Sequence, residues 1–313
     1  MNIGFWSNQL GERGTEVSLF DYAFYNQTLL GNTSFIFYHK HSPFNNNEII
    51  QKFQQQFTVI PLQNFDEIDT FIQYHQITHL YLIKYGVFDN QLSKIAKNCV
   101  HCVFDCTQPH GDIYSTISSH VHGYKNHIPI VPHMIDLPNH NRNMRQLLNI
   151  PSNAIVFGGY GGKDSFDIPF VHQTIYDIAY HHSNIYFLFA NFYPFCASLP
   201  NILHLPAIIE KEKKTEFINT CDAMIWGRRD GETFGLAIGE FSSMNKPVLC
   251  MDIGHRCHIE ILKEKGIYYT NDKDLQEMIV NFKPDKEKDW NAYRDYMPEK
   301  VMKIFQKIYL DSK

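Results

Sequence analysis

Nowhere in the 313 residues does an apolar run approach the roughly 20 residues that a membrane-crossing helix needs. The first residues do not read as a secretory leader either, and none is expected. Met1-Asn2-Ile3-Gly4-Phe5-Trp6-Ser7 has no basic start and runs at once into Asn8 and Gln9. Positive charge is in short supply, with Lys+Arg 28 against Asp+Glu 33 and a formal net charge of -5. Surfaces built for nucleic acid carry an excess of cations, so nucleic acid is not an expected partner. An even cysteine framework is also lacking. Seven cysteines in a long chain read as free thiols in a reducing compartment, and the expected location is cytoplasmic. Low-complexity tracts and short-period repeats are absent too. What is present is the balance of a folded globular protein, 44% hydrophobic and 19% charged. The length suits two domains, each able to bury about two thirds of its unfolded surface.

Short apolar runs alternate with amphipathic stretches along nearly the whole chain. In the first half the runs are Ile3–Ser7, Ser34–Tyr38, Thr58–Pro61, His79–Ile83, Val100–Asp105 and Pro129–Val131, with helical patterns at Val17–Leu30, Glu48–Gln56, Ile68–Gln76 and Leu92–Ala96. Residues 132–153, with Pro132, Pro138, Pro151, Arg142 and Arg145, interrupt the pattern as a linker and short helix. A second series follows, with runs at Ala154–Gly158, Ile185–Ala190, Ile202–Leu205, Ala223–Trp226, Pro247–Met251 and Ile267–Tyr269, and a last helical stretch near Trp290–Tyr309. Buried strands alternating with helices imply parallel βαβ units. The expected class is α/β, two doubly wound, Rossmann-like domains facing across a cleft. The expected division is 1–133, 134–285 and a terminal helix over 286–313 packing back on the first domain. Ligands of such sheets bind beyond the carboxyl ends of the strands.

The most informative segment is Trp226-Gly227-Arg228-Arg229-Asp230-Gly231-Glu232-Thr233-Phe234-Gly235-Leu236-Ala237-Ile238-Gly239-Glu240-Phe241. A buried strand ends near Gly227, a polar loop follows, and Gly235 opens a helix. The first turn of a helix offers free N–H groups and the positive end of the macrodipole, which suits phosphate. Gly235 allows close approach to the backbone. Glu232 precedes this turn, and Glu240 lies within the helix with its side chain angled back toward the N-terminus. Carboxylates repel phosphate but accept hydrogen bonds from hydroxyls. A ligand with hydroxyls at both ends and phosphates between them is a nucleotide-sugar.

Glu232-x7-Glu240 enclosing Thr-Phe-Gly-Leu, followed by Lys246-Pro247-Val248, resembles the E-x7-E signature of retaining family 4 glycosyltransferases of the GT-B fold, with Thr233 in place of the usual Gly. The resemblance implies that Glu232 holds donor-sugar hydroxyls near the reaction centre, that Glu240 binds ribose, and that Phe234, Gly235 and Leu236 cradle sugar and phosphate through their backbone. It implies a diphosphate-binding Lys after the first strand of the second half, where Gly158-Gly159-Tyr160-Gly161-Gly162-Lys163 stands. Gly161 and Lys163 are the candidates there. The family's Arg is missing, and Arg228 or Arg229 is the substitute considered. Asp164 would cap the following helix. The family's glycine loop after the first strand corresponds to Gly11-Glu12-Arg13-Gly14-Thr15, whose spacing also suits a plain turn capped by Thr15. A donor-contacting His is sought in Cys106-Thr107-Gln108-Pro109-His110-Gly111. His110 is the candidate, and His101 is set aside as beginning its strand. Val131-Pro132-His133-Met134-Ile135-Asp136 resembles the family's linker.

Other clusters read as structure. Cys99, Cys102 and Cys106 fall in a buried strand, and with His120 and His122 they do not make a four-ligand zinc site. Lys211–Lys214 reads as a solvated helix start. The expected function is transfer of a sugar from a nucleotide-sugar to a hydroxyl of a glycan, protein or small-molecule acceptor, with no cofactor, no metal and no transmembrane segment. The alternatives are a non-catalytic sugar or nucleotide-sugar binding protein and a nucleotide-sugar epimerase of the same architecture.

Overall fold

The structure is a computed structural model and describes residues 1–285 and 287–311. Of the expected terminal segment, residues 286, 312 and 313 lie outside the described residues. The chain divides into two compact units, Met1–Met134 together with the segment from Tyr296 onward, and Ile135–Asp295.

In the first unit the strands are β1 (Asn2–Ser7), β2 (Thr33–His39), β3 (Thr58–Leu62), β4 (His79–Lys84), β5 (Lys97–Cys102) and β6 (Ile113–Thr116). The helices are α1 (Gly14–Thr28), α2 (Asn47–Gln56) and α3 (Ile68–Tyr74). The strands pair in parallel in the order β3-β2-β1-β4-β5-β6. Side chains alternate between the two faces of a strand, so Trp6 joins Phe37, Leu62, Leu80 and Val100 in one core. Phe5, on the other face, stacks on Phe305 at 6.4 Å. Asn46 caps α2 by accepting from Glu48 N at 2.8 Å.

The second unit contains β7 (Ile155–Tyr160), β8 (Ile185–Ala190), β9 (Ile202–Leu205), β10 (Ala223–Ile225), β11 (Gly231–Glu232), β12 (Val248–Cys250), β13 (His255–Arg256) and β14 (Gly266–Tyr268). Its helices are α4 (Pro169–His181), α5 (Lys211–Thr220), α6 (Leu236–Ser243), α7 (Cys257–Leu262) and α8 (Asp272–Val280). The main sheet reads β9-β8-β7-β10-β12-β14, all parallel, and β11 pairs with β13 in a small separate ladder. Counted within each unit, both sheets follow the order 3-2-1-4-5-6 of doubly wound nucleotide-binding domains. Phe157, Phe187, Phe189, Ile225 and Leu249 form the core with Val171 and Ile175 of α4 and Leu275 and Ile279 of α8. The last helix, α9 (Pro298–Phe305), belongs to the first unit, where Phe305 lies 5.3 Å from Tyr22.

Two local expectations fail for identifiable reasons. Leu92–Ala96 is not a helix. Ser93 Oγ accepts from Ile95 N and Ala96 N at 3.1 and 2.9 Å, and Asn98 Oδ1 accepts from Ser93 N at 2.7 Å. These side chains satisfy the backbone groups that helical bonds would have used. Pro129–Val131 contributes only an isolated bridge from Ile130 to Thr116, and the sixth strand is Ile113–Thr116. Prolines at 129 and 132 remove the N–H groups that a ladder needs.

Candidate functional site

In a sheet of this order the ligand crevice opens where the chain reverses direction across the sheet, beyond the first and fourth strands. In the second unit these are β7 and β10. A Cβ on Gly159 would come within 2.8 Å of Ile225 O, and one on Gly158 within 2.3 Å of Cys221 Sγ. These two glycines are required by strand packing. Gly161 is crowded by Ser165 Oγ, whereas Gly162 has nothing nearer than 3.6 Å. The turn beyond β7 is pinned by Asn191 Nδ2, which donates to Gly161 O at 2.8 Å, and by Ser165 N, which donates to Gly162 O at 2.9 Å. Lys163 is exposed on this turn. Asp164 is not a helix cap. Pro169 occupies the first turn of α4 with Ile168 at the N-cap, because a proline has no N–H to satisfy there.

Beyond β10, Gly231 at φ 67° brings β11 against β13, where a Cβ would lie 2.3 Å from His255 O. Gly235 is the N-cap of α6 in the left-handed region, φ 87° and ψ 63°, with no side-chain cap. Gly239 N donates to Gly235 O at 2.9 Å and starts the helical ladder, so the N–H groups of Leu236, Ala237 and Ile238 have no partner within the helix. Phe234 is buried, and its carbonyl accepts from Tyr293 OH at 3.0 Å.

Glu232 stands at the mouth of this turn with its side chain 19% exposed. Trp226 Nε1 donates to Oε1 at 3.0 Å, and Arg228 Nη1 lies 3.5 Å from Oε2. Burial raises the Glu232 pKa above the usual carboxylate value, while Arg228 and the indole act in the opposite direction. The Trp226 ring packs on His258 at 4.6 Å between centroids. Arg229 donates through its backbone N to Asp167 Oδ1 at 2.8 Å, and its side chain is exposed. Of the two arginines, Arg228 is the one brought to Glu232.

Glu240 is buried one turn into α6. Lys214 Nζ donates to its Oε1 at 2.8 Å, and the Tyr160 hydroxyl donates to its Oε2. The basic start of α5 is therefore not simply a solvated face. Lys213 pairs with Glu210 on the surface, but Lys211 is seated on Asp136 at 2.5 Å and Lys214 on Glu240. No sequence signal linked Tyr160 or Lys214 to Glu240, because they lie 80 and 26 residues away.

In the first unit the loop beyond β1 holds Gly11, where a Cβ would lie 2.7 Å from Phe44 O. Gly14 opens α1 with Arg13 at the N-cap, so Thr15 is not the cap. Thr15 Oγ1 instead donates to Glu16 Oε1 at 2.9 Å, and Gln9 Nε2 donates to the same oxygen at 3.2 Å. Glu16 is buried, which raises its pKa, and sequence reading had not singled it out. His110 lies in the loop between β5 and β6. Its neighbours Gly111 and Asp112 lie beside Asn98, while its ring rests at 5.3 and 5.5 Å against Phe88, which follows β4, and Tyr114, whose hydroxyl donates to Gly86 O and Asp105 O beyond the ends of β4 and β5. His101 does not begin β5 but stands one residue from its carboxyl end, fully buried between Tyr81 OH and Val131 O at 2.7 and 2.8 Å. All seven cysteines are free. Among the described residues, no three His, Cys, Asp or Glu side chains are grouped to hold a metal ion, and no helix is long and apolar enough to cross a membrane.

No family model and no curated protein matches the sequence. Solved structures do match its fold over nearly the full length. A glycosyltransferase from Rickettsia africae ESF-5 has 12% identity and a TM-score of 0.71, with 99% of each chain covered. HepE of Anabaena, solved with UDP-glucose, has 14% identity and a TM-score of 0.70, with 98% of each covered. A putative UDP-N-acetylglucosamine 2-epimerase from Listeria monocytogenes has 12% identity and a TM-score of 0.61, covering 100% of this chain and 97% of its own. The fold is that of GT-B glycosyltransferases, two Rossmann-like units with six-stranded parallel sheets.

Proposed function

We propose that this protein is a retaining glycosyltransferase of the family 4 type, which moves a sugar from a nucleotide-sugar to an acceptor hydroxyl without a catalytic metal. One observation carries the reading. Glu232 and Glu240 bracket the Gly235-capped start of α6 at the chain-reversal point of the second unit. In this reading the leading N–H groups of α6, with the backbone at Phe234 and Leu236, meet the diphosphate and stabilise it as it departs. Lys163 and Arg229, both exposed near this edge, add positive charge, and Arg228 orients Glu232. Glu232 accepts from hydroxyls of the donor sugar, and Glu240 from those of the ribose. Gly161 lies on the turn facing the diphosphate, and the Gly11–Gly14 loop beyond β1 is the corresponding substrate contact of the first unit. UDP-glucose bound to HepE supports a uridine nucleotide as the first donor to try.

The deciding experiment incubates the protein with a panel of nucleotide-sugars, with and without simple acceptor glycosides, and follows the products by NMR. The expected result is release of nucleoside diphosphate, slow without acceptor and fast with it. The new glycosidic bond should keep the donor's anomeric configuration, and EDTA should leave the rate unchanged. Inverted product would remove the retaining assignment. The Listeria neighbour favours a second reading, epimerisation. That activity would turn one nucleotide-sugar into its epimer with no acceptor dependence. Saturable nucleotide-sugar binding with no turnover would leave a binding protein.

A further inference from the structure

The Glu240 carboxylate is approached from three elements. Lys214 comes from the first turn of α5, Tyr160 from the end of β7, and Glu240 itself from α6. The Lys214 and Glu240 side chains are 11% and 8% exposed. Lys214 Nζ also lies 5.5 Å from the centroid of the Tyr160 ring, a cation–π contact. That ring is walled by Phe217 and Phe241, each 5.6 Å away. Burial raises the Tyr160 pKa well above that of a free phenol, so its hydroxyl remains a neutral donor.

Stability does not account for such a group. Withdrawing an ion pair from water costs about as much as the pair returns, and an apolar replacement of similar volume is often as stable. The arrangement does specify a geometry. An ionised carboxylate offers about four lone-pair sites, two on each oxygen. Lys214 takes one on Oε1 and Tyr160 one on Oε2. One acceptor site is left on each oxygen, and the two donors, one on each oxygen, hold the carboxylate in direction. Two adjacent acceptors of this kind match two neighbouring hydroxyls on one ring.

We propose that Lys214 and Tyr160 are positioning residues that lock the Glu240 carboxylate as a two-point acceptor for a vicinal diol, the 2′- and 3′-hydroxyls of the donor ribose. This rests on the glycosyltransferase reading of the same site. In this chain the cation nearest Glu240 comes from α5, since the loop beyond β7 has glycines where an arginine was sought. The locked carboxylate gains from both hydroxyls together. Once the lock is released, the carboxylate turns freely and the second hydroxyl contributes little.

The test crosses protein variants with ligand variants, which isolates the coupling between them. Dissociation constants are measured by calorimetry for UDP, GDP, ADP and CDP and for the 2′-deoxy form of each. The wild-type protein is expected to favour the ribose form of its preferred nucleotide by at least about tenfold. K214M and Y160F are expected to reduce that preference to within about twofold, while K214R retains an intermediate preference. Y160F removes one hydroxyl and keeps the ring packing, so it reports even if K214M folds poorly. Variants that keep the tenfold ribose preference, whatever their melting temperature, overturn the proposal. So does a wild-type protein that binds nucleotides without discriminating ribose from deoxyribose, an outcome that leaves the transferase reading intact. If no nucleotide binds the wild-type protein, the transferase reading fails, and this proposal with it.

Discussion

The two units share a strand order, yet their chain-reversal points carry different side chains. In the first unit the loops beyond β1 and β4 are tied together by hydrogen bonds among the protein's own side chains. Lys84 Nζ bonds Asp89 at 2.5 Å and Gln91 O at 2.8 Å, Trp6 Nε1 donates to Gln91 at 3.2 Å, and Glu16 is buried beneath Gln9 and Thr15. In the second unit the same place carries two carboxylates around an uncapped helix start. One topology therefore provides a position for a ligand, and the side chains decide which groups that position presents. Fold likeness alone cannot assign a function for the same reason.

The contrast can be broken experimentally. The largest expected effect is on turnover. E232A should lower kcat by about a hundredfold, with a smaller change in donor KM, because a misplaced sugar costs about that much. An unchanged kcat would take the chemistry away from the second unit. Glycine substitutions come next. G159A forces a Cβ against Ile225 O and should cost about 1–3 kcal/mol in chemical denaturation. G162A makes only ordinary van der Waals contacts, none nearer than 3.6 Å, and should stay within about 0.5 kcal/mol of wild type while weakening nucleotide binding. Wild-type affinity in G162A would make that loop purely structural.

Acid should act on the first unit. Burial lowers the His101 pKa from 6.5 to about 3, and His133 lies well below its usual value for the same reason. The unfolded chain takes up a proton at His101 before the folded chain does, so stability present above pH 6.5 is lost as pH falls from there toward 3. At pH 5 the loss from His101 alone is about 2 kcal/mol. Protection factors for hydrogen exchange in peptides spanning β5, corrected for the intrinsic pH dependence of amide exchange, should fall from pH 7 to 5 in the wild type, and less in H101Q, whose amide can replace both hydrogen bonds. An equal fall in H101Q would assign the sensitivity to other groups. The smallest effect is expected from H110A, less than threefold in kcat, because the His110 ring is engaged by the protein itself, packed on Phe88 and Tyr114 with Nδ1 at 2.8 Å from Gln108 O. A tenfold loss would give the first unit a direct part in the chemistry.

Much of this architecture was legible in advance. Alternating apolar runs located five of the six strands in the first unit and all six of the main sheet in the second, because both faces of these parallel sheets are buried. The missed strand, Ile113–Thr116, is short, and two of its residues are only partly buried, so it left no apolar run to read. The Glu232–Glu240 spacing was visible because a loop and a helix turn are local. Tyr160 and Lys214 were not, because three separate elements bring them to Glu240.

By itself, then, the order of residues determined the alternation of strands and helices, the place of the interruption between the units, and the helix opened by Gly235. Each of these follows from hydrophobic period or from the backbone freedom of one residue, which act within a few neighbours. The tertiary structure alone decided which glycines serve packing, which lysine is buried against a carboxylate, and where each histidine falls along its strand. Those outcomes depend on distances between segments far apart in the chain, and only the closed sheets set those distances.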